Sequence, residues 1–192
     1  MSDPLDTVDG AELFRRGLAL AAAEDYVRAE QYLVASMERG HPEDDVMMPL
    51  VSACVRSDRL SAALRYAEPY LARHPGAWTL RLVVATVQMA IGDPESARRE
   101  LVRVTEDAPT HPAAHYMLAV LERDVRHDPA AAASHFQRYL EVDPEGEHVD
   151  EARSALAHPV APAVPAEAGG PVRLAPHAEA ERSSAAPGGV QP

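Results

Sequence analysis

Lysine and asparagine are absent from this chain, and cysteine, tryptophan and isoleucine each occur once. All 18 basic residues are arginines, and they are outnumbered by 30 Asp and Glu residues, so the formal net charge is -12. Because nucleic acids and anionic membranes are bound by clustered cations, this balance argues against both as partners. The residue bias is typical of GC-rich coding, from which we infer a bacterial source.

The single cysteine, Cys54, permits no internal disulfide and leaves thiolate metal sites without ligands. No stretch approaches the roughly 18 apolar residues of a membrane span. The short apolar run at 17–23 follows two arginines but ends in acidic residues without a cleavage-like site, so we do not expect it to be a signal sequence. We therefore expect a cytoplasmic protein that does not insert into membranes.

Signatures of catalysis are also missing. The chain contains no nucleophile elbow, no glycine-rich phosphate loop and no dinucleotide-binding fingerprint. We expect a protein that is not an enzyme, with no catalytic residue, no metal and no cofactor.

What the chain does contain is an internal repeat. Alanines recur at a spacing of 34 residues, at Ala29, Ala63 and Ala97. A fourth copy places Ala132 in the same slot and carries one extra residue near Arg126. In each copy, apolar residues at helical spacing form two segments around a short polar turn, which predicts two amphipathic helices per copy.

The turns and prolines refine this prediction. Asp58 and Asp93 can cap the second helices of their copies, and Pro94 is tolerated at the first helical position. Pro69 lies inside the second helix of the second copy, where it predicts a local kink because it removes a backbone hydrogen bond.

The repeats resemble the tetratricopeptide repeat family. Counting slots from Gly10, the matches are the 34-residue period, Tyr26 at slot seventeen, the aligned alanines at slot twenty, terminal prolines, and small residues at slot eight, namely Gly17, Ala85 and Ala119. The second copy departs from the pattern with Val51 at slot eight. Slot four, usually aromatic in this family, holds Leu13, Met47, Arg81 or His115.

This resemblance covers roughly Gly10 to Pro144 and implies an all-α fold, an α-solenoid of about four helix-turn-helix repeats. The expected organisation is an N-terminal extension at 1–9, the repeats at 10–144, a capping helix at 145–157, and a disordered Ala/Pro/Gly-rich tail at 158–192.

The resemblance further implies that the first helix of each copy lines a concave groove for a partner peptide or helix. The family's groove slots, together with the adjacent Arg56, give a mainly apolar candidate site: Phe14, Leu18, Met48, Ser52, Arg56, Leu82, Thr86, Met89, Tyr116, Val120 and Arg123. Arg56 and Arg123 are candidate charge anchors. Because Lys and Asn are absent, a carboxylate clamp for C-terminal tails is disfavoured. The expected function is a non-enzymatic adaptor or scaffold.

Three of the four His-Pro pairs in the chain raise an alternative. His41, His74 and His111 each precede a proline near a predicted helix end, so we interpret the pairs as stops between helices, with His41 and His74 in the last turns. The rival reading is a metal site or an enzyme built on His111 and His115, joined by His127 or His135. A dedicated chaperone or pilotin-like factor for a secretion or pilus machine also stays open.

Overall fold

The repeat pattern folds as helices throughout the described part of the chain. The computed structural model describes residues 8–158, and over this range it contains nine α-helices and no strand. Their bounds are α1 Gly10–Ala22, α2 Tyr26–Glu38, α3 Glu43–Arg56, α4 Leu60–Arg73, α5 Trp78–Ala90, α6 Pro94–Asp107, α7 Pro112–Asp124, α8 Pro129–Val142 and α9 Val149–Ala157. Most of the predicted N-terminal extension (1–7) and almost all of the predicted tail (159–192) lie outside the described residues.

Consecutive helices form the stacked pairs that the sequence predicts. Each helix packs mainly on the helices directly before and after it, so α1 with α2, α3 with α4, α5 with α6 and α7 with α8 form four helix-turn-helix units. The prediction of an all-α solenoid is therefore confirmed.

Small residues lie where the two helices of a unit approach most closely. The four aligned alanines are at most 3% exposed: Ala29, Ala63, Ala97 and Ala132. At Gly17, a Cβ atom would lie 2.8 Å from Cγ of Leu33, closer than two carbon atoms can pack. Slot eight of the second copy tolerates a larger side chain, since Val51 is fully buried there.

Side-chain caps begin several of the helices. Asp93 accepts a hydrogen bond from the backbone N–H of Ser96, which confirms its predicted role. The prediction for Asp58 is wrong, because the residue at the cap position of α4 is Arg59, which makes no side-chain cap. Asp58 has a φ of 58° and closes the turn in the left-handed conformation that Gly92 adopts in the third copy.

The His-Pro pairs lie at helix boundaries. His74 is the C-terminal cap of α4, His111 is the N-terminal cap of α7, and Pro112 is the first residue of α7. The prediction for His41 is wrong in detail, because α2 ends at Glu38 and His41 lies beyond its cap. Its ring stacks on Phe14, with centroids 4.3 Å apart.

Pro69 is exposed within α4, whose helical assignment continues through it to Arg73. The kink near this residue stays a prediction.

The extra residue of the fourth copy is accommodated in the turn between α7 and α8. There the Arg126 side chain folds back onto α7, and its Nε atom lies 2.9 Å from Oε2 of the buried Glu122. Glu122 also accepts a hydrogen bond of 2.6 Å from Nε of Arg98 in α6. The insertion is thus tied to α7 of its own unit and, through Glu122, to α6 of the preceding unit.

Candidate functional site

The eleven predicted groove residues all lie on the first helices α1, α3, α5 and α7. None of them is buried: three are exposed, namely Leu18, Arg56 and Thr86, and the other eight are half-buried. Their helical neighbours Leu13 and Leu80 are at most 3% exposed. The predicted groove residues therefore form a row at the surface of the first helices, and other residues of the same helices form the core.

Cavities open between neighbouring first helices along this row. One of about 210 Å³ lies between α3 and α5 and is lined by Met48, Tyr70 and Trp78, among others. Another, of about 300 Å³, lies between α1 and α3 and is lined by Ser52 and Arg56, among others. These recesses can accept side chains of a bound segment.

Trp78 is a surface residue that the sequence reasoning missed. It is the first residue of α5 and is 39% exposed although it is a large apolar side chain. The signal available in the sequence was that the only tryptophan follows a Pro-Gly turn rather than occupying a core slot. Exposed tryptophans are enriched at protein interfaces, because the ring combines a large apolar area with a polar N–H group.

The half-buried apolar residues also pack within the repeats. Phe14 and Met48 contact the core of the first two units, and Leu82 and Met89 contact the core between α5, α6 and α7. Part of each of these side chains therefore packs against the core, and the rest is exposed to solvent.

Arg56, one of the two predicted charge anchors, is held by an aromatic side chain. Its Nε atom donates a 2.6 Å hydrogen bond to the hydroxyl of Tyr26, and its guanidinium carbon lies 5.1 Å from the centre of that ring. The guanidinium is exposed, so the bond to Tyr26 orients a charge that still faces solvent.

The predicted residues of the fourth copy contact helix α9 of the same chain and its N-terminal cap. The Tyr116 hydroxyl donates to Oε2 of Glu151 at 2.7 Å, and its ring stacks on His148 at 3.8 Å. Arg123 donates to Oε1 of Glu151 at 3.0 Å. Burial and the bond to Glu151 raise the pKa of Tyr116 to about 12. The sequence reasoning named Tyr116 and Arg123 but missed Glu151 and His148.

Helix α9 covers the end of the last unit. Val149 and Ala152 are buried against Phe136, which is 1% exposed. A cavity of about 600 Å³ beside α9 is lined by Phe136 and the half-buried Leu156. Glu151 of α9 contacts the candidate groove only in the fourth unit, through Tyr116 and Arg123. The part of the groove on the first three units is not contacted by Glu151.

The histidines of the rival metal reading are only partly brought together. Nδ1 of His115 lies 3.4 Å from Nδ1 of His135, and Nε2 of His115 lies 3.0 Å from the carbonyl oxygen of Pro109. When both rings are neutral, His115 donates to Pro109 and accepts at Nδ1 from His135. Burial and the neighbouring His115 lower the pKa of His135.

His111 and His127 lie at the two ends of α7, in its N-terminal cap and in the turn that follows it. Among residues 8–158, no group of three or more His, Cys, Asp or Glu side chains is arranged to hold a metal ion. No helix in the same range is long and apolar enough to span a membrane.

Stacked helix pairs with alanine at the crossings, and first helices that present a row of surface slots, define an α-solenoid. A family model described as tetratricopeptide repeat matches residues 55–121. The match covers part of the chain, and over that part the sequence is similar to the tetratricopeptide repeat family. No curated protein matches the chain in sequence.

Solved structures share the fold. A tetratricopeptide repeat protein from Parabacteroides merdae is 22% identical with a TM-score of 0.70, over 77% of this chain and 58% of that one. The chain thus spans less than two thirds of that protein. YrrB, described as having an unusual peptide-binding site, is 17% identical with a TM-score of 0.65, over 76% and 74% of the two chains. MamA from Desulfovibrio magneticus RS-1 is 18% identical with a TM-score of 0.64, over 74% and 80%.

Proposed function

We propose that this protein is a non-enzymatic adaptor or scaffold that binds a peptide or helix of a partner protein on the surface of its first helices. The observation that carries the proposal is the apolar surface around the recess between α3 and α5, where Met48 lies beside the exposed Trp78. A side chain inserted there would remove apolar area from water, which is the main source of affinity in helix-in-groove recognition.

The chemistry of the row favours an apolar partner segment with some charge. Leu18 is 38% exposed, and the half-buried Met48 and Met89 can adjust their rotamers to an irregular surface. Arg56 supplies a solvent-facing cation that is already oriented by Tyr26. An amphipathic segment whose acidic residue meets Arg56 would satisfy both features.

The net charge of -12 supports a protein partner rather than a nucleic acid or an anionic membrane. We further propose a bacterial cytoplasmic location, because all basic residues are arginine and only one cysteine is present.

The experiment begins with affinity capture on the full chain, followed by a binding measurement with the purified partner. Leu82→Glu places a carboxylate in the row, on a side chain that is only partly used for packing. We expect the dissociation constant to rise about tenfold or more, which corresponds to about 1.4 kcal/mol.

The matched control is Val27→Glu, because Val27 is 51% exposed on the second helix α2. It adds the same charge away from the row and is expected to leave binding unchanged. Circular dichroism checks that both variants keep the helical content of the wild type. Equal affinity of Leu82→Glu and the wild type would eliminate the first helices as the binding surface.

A further inference from the structure

A polar cavity separate from the candidate groove lies between the second helices α4 and α6. Its volume is about 480 Å³, and none of the eleven predicted groove residues lines it. Val84 and Gln88 of α5 are at most 6% exposed and form its base. The cavity is therefore a recess between the second and third units, bounded by residues that the partner-binding row does not use.

The base of this recess contains an amide oxygen without a hydrogen-bond partner. Gln88 is 6% exposed, and its Oε1 atom is buried with no hydrogen bond. Buried polar groups are nearly always satisfied, so an unpaired amide that lines a cavity indicates that something polar belongs there. Gln88 occupies slot eleven of its copy.

The next interface along the chain shows how slot eleven is normally satisfied. There Glu122 at slot eleven accepts a hydrogen bond from Arg98 at slot twenty-one of the preceding copy. The residue equivalent to Arg98 in the second copy is Leu64, which has no polar group to offer Gln88. The unpaired amide thus follows from a local change in the repeat pattern.

Three arginines surround the recess in a chain that is strongly acidic overall. Arg81 at the base and Arg103 both bond to Glu100, while Nη2 of Arg99 donates to Ser96 at 2.7 Å. Glu68 is the second acidic residue of the lining, so the recess has one positive charge in excess. Arg99 and Arg103 are exposed and can each accept a further acidic partner.

The spacing of these two arginines defines the ligand. Arg99 and Arg103 are four residues apart on α6, and at 1.5 Å per residue their positions are separated by about 6 Å along the axis. In an extended peptide, side chains two residues apart lie on one face at a separation of about 6.6 Å. Alternate acidic residues of an extended strand therefore match the spacing of Arg99 and Arg103 along α6.

We propose that the recess between α4 and α6 binds an extended acidic peptide segment with carboxylates at alternate positions. The carboxylates pair with Arg99 and Arg103, and a peptide group of the strand exchanges hydrogen bonds with the Gln88 amide. Such a segment supplies both a donor and an acceptor for a glutamine side chain. This site is independent of the surface of the first helices.

The test is fluorescence anisotropy with the full chain and a labelled peptide Gly-Glu-Ala-Glu-Ala-Glu-Gly. The same peptide with Gln at each Glu serves as the neutral control. We expect binding of the acidic peptide alone, and weakening by about tenfold or more in the double variant Arg99→Ala with Arg103→Ala. Arg138→Ala removes a surface arginine of α8 outside the recess and is expected to have no effect.

Gln88→Leu separates binding from a structural role. The change removes the unpaired amide, so thermal stability should be kept or raised while the peptide binds several-fold more weakly. Equal binding of both peptides, no binding of the acidic one, or unchanged binding in the double arginine variant or in Gln88→Leu would overturn the proposal. Leu82→Glu should still bind the acidic peptide, so failure of the groove proposal is distinguishable from failure of this one.

Discussion

Glu122 offers the sharpest test of how the repeats hold together. This carboxylate is 1% exposed, and it lies between Arg98 of α6 and Arg126 of the inserted turn. Both partners approach through Nε, at 2.6 Å and 2.9 Å. Glu122→Gln keeps the size and shape of the side chain and removes its charge. The neutral amide retains one acceptor oxygen, so one arginine then faces an NH₂ group instead of a carboxylate oxygen.

The magnitude follows from the two bonds and the exposure of their donors. A hydrogen bond to a charged group contributes about 1.5–3 kcal/mol. The side chains of Arg98 and Arg126 are 38% and 37% exposed, so each recovers part of its hydration when the carboxylate is lost. We therefore expect Glu122→Gln to lower the free energy of unfolding by about 2 kcal/mol, below the 3–5 kcal/mol typical of a fully buried pair.

The assay is urea denaturation followed by circular dichroism at 222 nm. Glu141→Gln is the matched control, because Glu141 forms a comparable pair with Arg138 while both side chains are more than 40% exposed. Surface pairs of this kind contribute about 0–1 kcal/mol. If Glu122→Gln and Glu141→Gln shift the unfolding midpoint equally, the buried carboxylate does not link the third and fourth units as described.

Three further predictions concern the stability of the fold and the reactivity of its cysteine. Gly17→Val should destabilise the fold by about 1–3 kcal/mol in urea, because even a Cβ atom would lie 2.8 Å from Cγ of Leu33; an unchanged midpoint would refute the close crossing of α1 and α2. The contribution of His135 to stability should be constant above pH 6.5 and fall below it, because burial and His115 lower the pKa of His135 from 6.5 and the unfolded chain takes up the proton first; His135→Gln should reduce the loss of stability below pH 6.5, and an unaltered profile would contradict this. Burial raises the pKa of the Cys54 thiol to about 11, so native protein should resist alkylation at pH 8 that proceeds readily in urea, and rapid native labelling would contradict its packing role.

The fold could be predicted because its closest contacts require small residues at fixed intervals. Ala29, Ala63 and Ala97 are buried at a spacing of 34 residues, and larger side chains there would separate the two helices of each unit. The surface row was predictable for the same reason, since slots on one helical face share an environment in every copy. Trp78 was missed because it precedes the periodic apolar pattern of its helix.

The residue at which α4 begins depends on the backbone angle φ of Asp58, which the residue types alone do not reveal. Asp58 looks like a cap in sequence, but the residue at that place adopts a left-handed conformation and the helix begins one residue later. Contacts between distant segments could not be predicted from the sequence either. Tyr116 and Glu151, for example, are 35 residues apart and belong to different helices. Such pairings depend on how units stack, whereas the repeat pattern is local.

The central claim is that partners bind the surface formed by the first helices. Amide hydrogen exchange by mass spectrometry, on the full chain alone and saturated with a captured partner, tests it most directly. We predict slower exchange in peptides from α1, α3 and α5, with those from α2, α4 and α6 little changed. Slower exchange confined to α2, α4 and α6 would contradict it.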